Sequence, residues 1–320
     1  MSTRTLSHLP ASWPQHSTTV QQHGKIVVLS DYDGTLTPIA ATPTQAVLSD
    51  STRAVLKRLS RLSSVQVGVI SGRSLQDTKR AIGLPGLVYG GNHGLELQGL
   101  GLRFLHPEAK QFRPILFPLA GTLRKALAEI PGALVEWKGL TISLHWRQVP
   151  PRSHQRFRSI VARHLAPYLA HRLIRVTHGK RVIELRPPLA WNKGEGIAWL
   201  LRHLALSFRS PWTRALRRTR ARHSSLAAHV IPIAETPSTG RRRQVRGTRK
   251  SSHAAEPTPF LIYFGDDRTD ETAFRIVNRL HGLSVFVGRP TWPTAARYWL
   301  RNVQEVHAWL EALSRACRPG

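Results

Sequence analysis

The apolar run Ile26–Leu29 is followed almost at once by Asp31-Tyr-Asp33-Gly34. Consecutive β-branched and aliphatic residues are typical of a strand buried on both faces in a parallel sheet. Open α/β sheets bind ligands beyond the carboxyl ends of their strands, so we expect Asp31 and Asp33 to face the site of chemistry. Gly34 provides a tight turn after the strand. Taken alone, the segment could equally be a polar turn with an Asp cap.

Two carboxylates this close repel each other when both are ionised, unless a cation lies between them or one keeps its proton. The pair suits a nucleophile, an acid–base partner and a hard cation such as Mg²⁺. For Asp33, a helix or turn cap is the main alternative to a chemical role.

Strands and helices alternate through the rest of the first hundred residues. Ser49 is a predicted helix N-cap, and a second apolar strand, Val65–Ile70, ends at Ser71-Gly72-Arg73. The pattern returns with a helix from Asn192-Lys193 and a strand, Phe260–Phe264, that leads into Gly265-Asp266-Asp267. This alternation predicts an α/β fold whose core is a Rossmann-like, doubly wound parallel sheet.

A different pattern separates the two halves of this core. It comprises a helix over 108–130 that Pro114 and Pro118 break or kink, strands 133–137 and 141–146, a helix over 153–169, and strands 173–177 and 181–185 joined by a turn at His178–Lys180. This αββαββ order, with one half-polar sheet, predicts a compact α+β cap domain inserted into the core.

The resulting organisation has a disordered N-terminal tail (1–24), a core (25–100, 188–206 and 260–316), a cap (101–187) and a basic insertion (207–259). Lys and Arg total 47 against 18 Asp and Glu, a formal net charge of +29. The insertion, with Arg241-Arg242-Arg243, cannot bury enough apolar surface to order itself, so we expect disorder or a loose basic helix at 214–222. The positive field attracts anions and polyanions. An Arg-rich composition of the source is the alternative explanation.

Cys317 is the single cysteine, which excludes an internal disulfide and fits a reducing compartment. The first 23 residues lack the apolar segment of a secretory signal, and no run approaches the ~18 apolar residues of a spanning helix. We therefore expect a cytoplasmic protein without membrane association.

Four groups of polar residues stand at strand ends or helix starts: Asp31 with Asp33, Ser71, Lys193, and the acids 266, 267 and 270. Their order resembles the haloacid dehalogenase superfamily of phosphatases. Longer motifs resemble the trehalose-6-phosphate phosphatase family, over roughly residues 25–315 apart from the insertion. These are Asp31-Tyr-Asp-Gly-Thr-Leu-Thr-Pro-Ile, Ser71-Gly-Arg73, Gly91-Asn92-His93-Gly94-Leu-Glu96, Glu136-x-Lys138-Gly, Ser143-x-His145-x-Arg147, Gly179-Lys-x-Val-Ile-Glu184-Leu-Arg186, Asn192-Lys193-Gly194-Glu195 and Gly265-Asp-Asp-x-Thr-Asp270-Glu271.

The resemblance implies hydrolysis of trehalose 6-phosphate through an aspartyl phosphate on Asp31, with Asp33 as acid and base. It implies Mg²⁺ held by Asp31, Asp266 and the backbone carbonyl of Asp33. Ser71 and Lys193 would hold the phosphoryl oxygens. Asp270 would support the metal site or Lys193 from behind, and Asp267 would bind a metal water.

Sugar specificity would lie in the cap and its junction with the core, where charged and amide side chains can bind hydroxyls. The candidate substrate-binding residues are Arg73, Asn92, His93, Glu136, Lys138, His145, Arg147, Glu184 and Arg186. The alternative is a set of cross-strand ion pairs on an exposed sheet.

Three other functions are alternatives for a chain with these features. The nearest is a related phosphatase for sucrose phosphate or a mannosyl-glycerate phosphate. The second is polyanion binding through the insertion, although too few aromatic residues accompany its arginines for specific nucleic-acid recognition. The third, an inactive regulator, is disfavoured because every catalytic position is filled. Association with a trehalose-6-phosphate synthase is left open.

Overall fold

The structure is a computed structural model that describes residues 6–208 and 259–318. The helices are α1 (Trp13–Gln22), α2 (Asp50–Ser60), α3 (Leu75–Ile82), α4 (Pro107–Gln111), α5 (Arg113–Ala126), α6 (His154–Ala170), α7 (Lys193–Phe208), α8 (Glu271–Arg279) and α9 (Val303–Ala316). The strands are β1 (Ser7–His8), β2 (Ile26–Ser30), β3 (Val65–Ile70), β4 (Val88–Gly91), β5 (Glu96–Gly99), β6 (Leu102–Leu105), β7 (Leu134–Trp137), β8 (Ile142–His145), β9 (Arg175–Gly179), β10 (Val182–Arg186), β11 (Phe260–Gly265), β12 (Leu283–Val287) and β13 (Tyr298–Leu300).

The core sheet has the order β1-β13-β12-β11-β2-β3-β4-β5-β6, and every pair from β1 to β4 is parallel. At its centre, Val28 of β2 is paired with Ile262 on one side and Val67 on the other. The predicted doubly wound parallel core is confirmed. The sequence analysis missed the antiparallel β5–β6 hairpin that extends one edge.

Alternation along β2 explains why this strand is apolar throughout. Ile26 and Val28 belong to one hydrophobic core, whereas Val27 and Leu29 belong to the core on the opposite face of the sheet. Helices cover both faces, with α2 packed near α9 on one side and α7 near α8 on the other. The strand ends between these two layers therefore form a single open edge.

The cap has its own antiparallel sheet, in the order β7-β8-β10-β9, and its own core. The predicted αββαββ order is confirmed, but the boundary at residue 101 is wrong. Strand β6 pairs with β5 in the core sheet, and Phe104 packs against Trp191 and Trp199 of the core. The cap therefore begins near α5. The sequence did not indicate this boundary, because the edge hairpin has no helical period and nothing in it indicates which strand it pairs with.

Two local predictions in the cap need correction. The long helix predicted over 108–130 is two helices that meet at Phe112, with Pro114 in the first turn of α5, where no backbone N–H is needed. Pro118 lies inside α5 without ending it. The β9–β10 turn consists of Lys180 and Arg181 rather than His178–Lys180, because β9 continues to Gly179, and Arg181 adopts a positive φ of 62° there.

The N-terminal tail predicted to be disordered is ordered over much of its length. Strand β1 adds to the edge of the core sheet beside β13. Leu9 and Val20 are buried in the core, so two widely spaced apolar residues anchor an otherwise polar segment.

Most of the predicted basic insertion lies outside the described residues, since α7 ends at Phe208 and the description resumes at residue 259. The expected basic helical stretch at 214–222 falls in the part that is not described. Within the described ranges, every helix is too short or too polar to cross a bilayer.

Candidate active site

Three buried acids meet at the carboxyl ends of β2 and β11, adjacent strands of the core sheet. Asp31 follows β2, and its backbone N–H donates to the carbonyl oxygen of Phe264 at 2.9 Å. Asp266 follows β11, and Asp270 lies one turn further on. Each of the three offers a carboxylate oxygen, and these oxygens all lie within 4.8 Å of one another. Parallel neighbouring strands thus bring together acids that are far apart in the sequence.

Lys193 is the buried cation of this acidic centre. From the start of α7 its Nζ lies 2.6 Å from Asp270 Oδ1 and 3.2 Å from Asp31 Oδ1. Burial lowers the pKa of this ammonium, but Asp270 and Asp31 outweigh that effect and raise it. Burial also raises the pKa of Asp31 well above its ordinary value, in spite of Lys193. Three carboxyl groups thus lie around one buried ammonium, and their hard oxygen donors fit a cation such as Mg²⁺.

Asp270 holds the end of β11 in place. Its Oδ2 accepts hydrogen bonds from the backbone N–H groups of Asp266 and Asp267, both at 3.0 Å, and its Oδ1 accepts one from the Tyr263 hydroxyl at 2.6 Å. These bonds and the Lys193 pair favour the supporting role expected for Asp270. Tyr263, buried on β11, was missed because an aromatic residue in an apolar strand reads as core.

Asp266 is contacted from the core and from the cap. Thr35 donates to its Oδ1 at 3.3 Å, and Lys180 of the β9–β10 turn lies 2.5 Å from its Oδ2. Burial raises the pKa of Asp266 to about 6 even though Lys180 opposes the shift. The sequence analysis did not select Lys180, because a lysine in a hairpin turn usually points to solvent.

Asp33 is held by a neighbouring loop rather than left free at the site. Arg73 donates from Nε to one Asp33 oxygen at 2.8 Å and from a terminal nitrogen to the other at 2.6 Å. The same guanidinium donates to the Pro43 carbonyl and lies over the Tyr32 ring. Arg73, predicted to bind substrate, thus lines the pocket but is bonded to Asp33.

Ser71 lies at the end of β3, buried and facing the same pocket. Its hydroxyl oxygen accepts a hydrogen bond from the Arg73 backbone N–H at 3.2 Å. A Cβ on Gly72 would come within 2.7 Å of the His93 ring, so the loop after β3 requires glycine there. This packing joins the phosphate end of the site to the sugar-binding candidates.

Glu184 of β10 is the centre of the polar face of the cap. It accepts from His93 at 2.6 Å and from Lys138 and Ser143, both at 3.3 Å. Burial opposes the ionised form, yet the charges and hydrogen bonds of His93 and Lys138 hold the pKa of Glu184 well below its usual range. Burial lowers the pKa of His93, although the charge of Glu184 and its hydrogen bond oppose that shift.

Glu136 and the two basic residues expected beside it also face the pocket. His145 lies 2.7 Å from Glu136, while Arg147 donates to the backbone carbonyls of Ala40 and Lys180. Lys138 donates to the Gly72 carbonyl at 2.9 Å, so the cap rests directly on the loop after β3.

Every predicted site residue except Asn92, Arg186 and Asp270 lines one pocket between cap and core. Asn92 instead clamps the cap: its side chain accepts from Thr141 at 2.6 Å and donates to the Lys138 carbonyl at 3.1 Å. Arg186 is buried and donates to the Trp191 carbonyl at 3.3 Å. In this structure neither side chain reaches the pocket.

Residues 29–215 match the family model described as trehalose-phosphatase, which covers more than half of the chain. The chain belongs to the trehalose-phosphatase family. A probable trehalose-phosphate phosphatase 9 of Oryza sativa is 30% identical over 303 residues, which span 90% of this chain and 70% of the relative. A trehalose-phosphate phosphatase of Mycobacterium tuberculosis is 30% identical over 295 residues, which span 91% of this chain and 62% of that protein.

Solved structures agree with the trehalose-phosphatase assignment at the level of fold. The C-terminal domain of a Candida albicans trehalose-6-phosphate phosphatase superposes with a TM-score of 0.70 at 22% identity, covering 98% of this chain and 99% of that one. A haloacid dehalogenase-like hydrolase from Bacteroides thetaiotaomicron gives a TM-score of 0.53 at 13% identity, covering 91% and 99%. The expected superfamily fold with a cap is confirmed.

Proposed function

We propose that the protein is a phosphatase that hydrolyses trehalose 6-phosphate to trehalose and phosphate, the last step of trehalose biosynthesis. The observation that carries the proposal is one pocket with two unlike walls. Buried acids and Lys193 form the core wall, and charged and polar side chains of the cap form the other. A phosphomonoester of a disaccharide needs both kinds of surface.

The Asp31 carboxylate would attack phosphorus and form an aspartyl phosphate. Lys193 and Ser71 would hold the phosphoryl oxygens, the lysine as a point charge and the serine as a hydrogen-bond donor. The two bonds from Arg73 engage one lone pair on each oxygen of Asp33, and a remaining lone pair would carry the proton that Asp33 gives to the departing sugar oxygen.

The site also fits a divalent cation, and we propose Mg²⁺. Asp31, Asp266 and the backbone carbonyl of Asp33 would hold it, with Asp270 fixing the loop behind and Asp267 near a bound water. When bound, the ion screens the negative charge of the phosphate from that of the attacking carboxylate. The carboxylate oxygens of Asp31, Asp266 and Asp270, all within 4.8 Å of one another, support this assignment.

The cap would select the sugar. Glu184, Lys138 and Glu136 present charged groups in fixed positions, each held by a neighbouring side chain or backbone group. Such a set binds hydroxyls through charge-assisted hydrogen bonds, and a closed cap excludes water from the phosphate. We place the protein in the cytoplasm because its composition, with a single cysteine, fits a reducing compartment.

A phosphate-release screen tests the proposal. Trehalose 6-phosphate, sucrose phosphate, a mannosyl-glycerate phosphate and p-nitrophenyl phosphate would be compared with and without Mg²⁺. We expect the highest kcat/KM for trehalose 6-phosphate and no turnover in chelator. A higher kcat/KM for either of the other sugar phosphates would reject the proposed substrate.

The variant Glu136→Gln shows whether specificity resides in the cap. It should raise KM for trehalose 6-phosphate without changing turnover of p-nitrophenyl phosphate, while Glu129→Gln, on the exposed cap surface, serves as the matched control. Equal losses on all substrates would count against specificity encoded by the cap.

A further inference from the structure

One row of residues crosses the cap sheet on the face that lines the pocket. Ser143 is the register partner of Glu136 on β7 and of Glu184 on β10, and Glu184 is in turn the partner of Thr177 on β9. Directly paired residues of a sheet point to the same face. All four side chains therefore face the same way, and all four line the pocket.

Thr177 differs from the other three members of this row. Ser143 donates to Glu184, Glu184 accepts from three side chains, and Glu136 is bonded to His145. The Thr177 hydroxyl is buried, and it makes no hydrogen bond to any group in the described parts of the chain. Buried hydroxyls are nearly always bonded, so this one, in a pocket wall, is available to pair with a polar group that enters the pocket.

The position of Thr177 along β9 indicates which part of a ligand it would meet. A Cβ on Gly179, two residues later on the same face, would lie 3.3 Å from Asp267 Oδ2, so that end of the strand adjoins the acidic centre. Thr177 lies about 7 Å further from it along the strand. This distance places its hydroxyl beside the alcohol portion of a substrate rather than its phosphate.

We propose that Thr177 is a specificity-determining residue whose hydroxyl hydrogen-bonds a hydroxyl of the substrate sugar. The inference rests on the proposed function and adds to it a residue that sequence motifs do not single out. Because threonine both donates and accepts, it can pair with a sugar hydroxyl in either sense. Glu184, its cross-strand neighbour, would bind an adjacent hydroxyl.

The test compares Thr177→Val, which removes the hydroxyl at nearly constant shape, with Thr177→Ser, which keeps it. The valine variant should raise KM for trehalose 6-phosphate about 2- to 12-fold, the value of one net hydrogen bond, with little change in kcat. The serine variant should stay close to wild type. Turnover of p-nitrophenyl phosphate should be unchanged, and Thr122→Val, on the exposed surface of α5, is the matched control.

Monodeoxy analogues of trehalose 6-phosphate provide a second measurement that needs only a folded wild-type enzyme. Removing one particular sugar hydroxyl should raise KM for the wild-type enzyme by the same factor as Thr177→Val raises KM for the full substrate. With the Thr177→Val variant, that deoxy analogue and the full substrate should have the same KM.

The inference is overturned if Thr177→Val keeps the wild-type KM, if it impairs p-nitrophenyl phosphate equally, or if no deoxy analogue shows this pairing. Failure of the proposed function would look different, because wild type itself would then not hydrolyse trehalose 6-phosphate.

Discussion

The Arg73 guanidinium donates hydrogen bonds to both carboxylate oxygens of Asp33, at 2.8 and 2.6 Å, and so joins the loops that follow β2 and β3. A lysine at position 73 could reach only one oxygen and would leave the carboxylate free to rotate. We expect Arg73→Lys to lower kcat about 10- to 100-fold with a smaller effect on KM, because misplacing a reacting group is costly. Steady-state kinetics with trehalose 6-phosphate measure both constants.

Arg80→Lys is the matched control for that variant, since Arg80 pairs with Asp77 on the exposed surface of α3. It should leave both constants unchanged. If Arg73→Lys raised KM alone, Arg73 would be a substrate ligand, as its sequence motif first indicated.

Removing the buried ammonium of Lys193 should inactivate the enzyme and also destabilise its fold. Lys193→Met would leave Asp270 and Asp31 buried without their ammonium partner, at a cost of about 3–5 kcal/mol in the free energy of unfolding. Urea unfolding in chelator measures this cost apart from any metal effect. Lys110→Met, at an exposed position of α4, should change it by less than about 0.5 kcal/mol. Equal stability of the two variants would contradict the buried ion-pair assignment.

Gly34 lies where the backbone turns beside Asp266, one of the proposed Mg²⁺ ligands. It adopts a φ of 85°, and a Cβ there would lie 2.1 Å from Asp266 Oδ2. Gly86 has a φ of 80° with nothing within 4 Å of its Cβ position, so it isolates the backbone contribution. Gly86→Ala should cost about 1–2 kcal/mol in unfolding free energy. Gly34→Ala should lower the free energy of unfolding by more than Gly86→Ala does, and it should also weaken Mg²⁺ binding measured by calorimetry. If the two variants had the same unfolding free energy and the same Mg²⁺ affinity, the clash with Asp266 would be excluded.

Lys180 contacts the carboxylate that would bind Mg²⁺, so ammonium and metal compete for Asp266. Lys180→Met should therefore tighten Mg²⁺ binding up to about 5-fold, the strength expected of a half-exposed ion pair. Calorimetry without substrate measures the affinity directly. Arg181→Met removes the same charge one residue away, from a guanidinium that lies over Trp146. If both variants tightened binding equally, the general field and not the Asp266 contact would be responsible.

The strand ends were the most predictable part of the molecule. An apolar run that ends in Asp31 or Asp266 fits a parallel sheet best as a central strand with the acid at its carboxyl end. Adjacent strands then bring those acids together. The order of helices and strands in the cap was equally predictable, because apolar residues repeat with a different period in its helices than in its strands. These features depend on local patterns alone.

Contacts that depend on strand register and loop geometry could not be predicted from the sequence in the same way. The pairing of Thr177 with Glu184 depends on a hairpin turn at Lys180 and Arg181, whereas the sequence predicted the turn at His178–Lys180. Lys180 and Tyr263 have sequence neighbours typical of a surface turn and a core strand, so neither indicates its charged partner. Arg73 was recognised by its motif, but its bond to Asp33 requires two loops to meet in space.

The central claim is that the Asp31 side chain becomes phosphorylated, and chemical trapping tests it most directly. Enzyme mixed with trehalose 6-phosphate would be quenched in acid within the first turnover, treated with borohydride, digested and examined by mass spectrometry. Because borohydride reduces an acyl phosphate to an alcohol, the peptide should carry homoserine at position 31 and unmodified aspartate at position 33. Unmodified Asp31 in an enzyme that turns over, or full turnover by Asp31→Asn, would contradict the account.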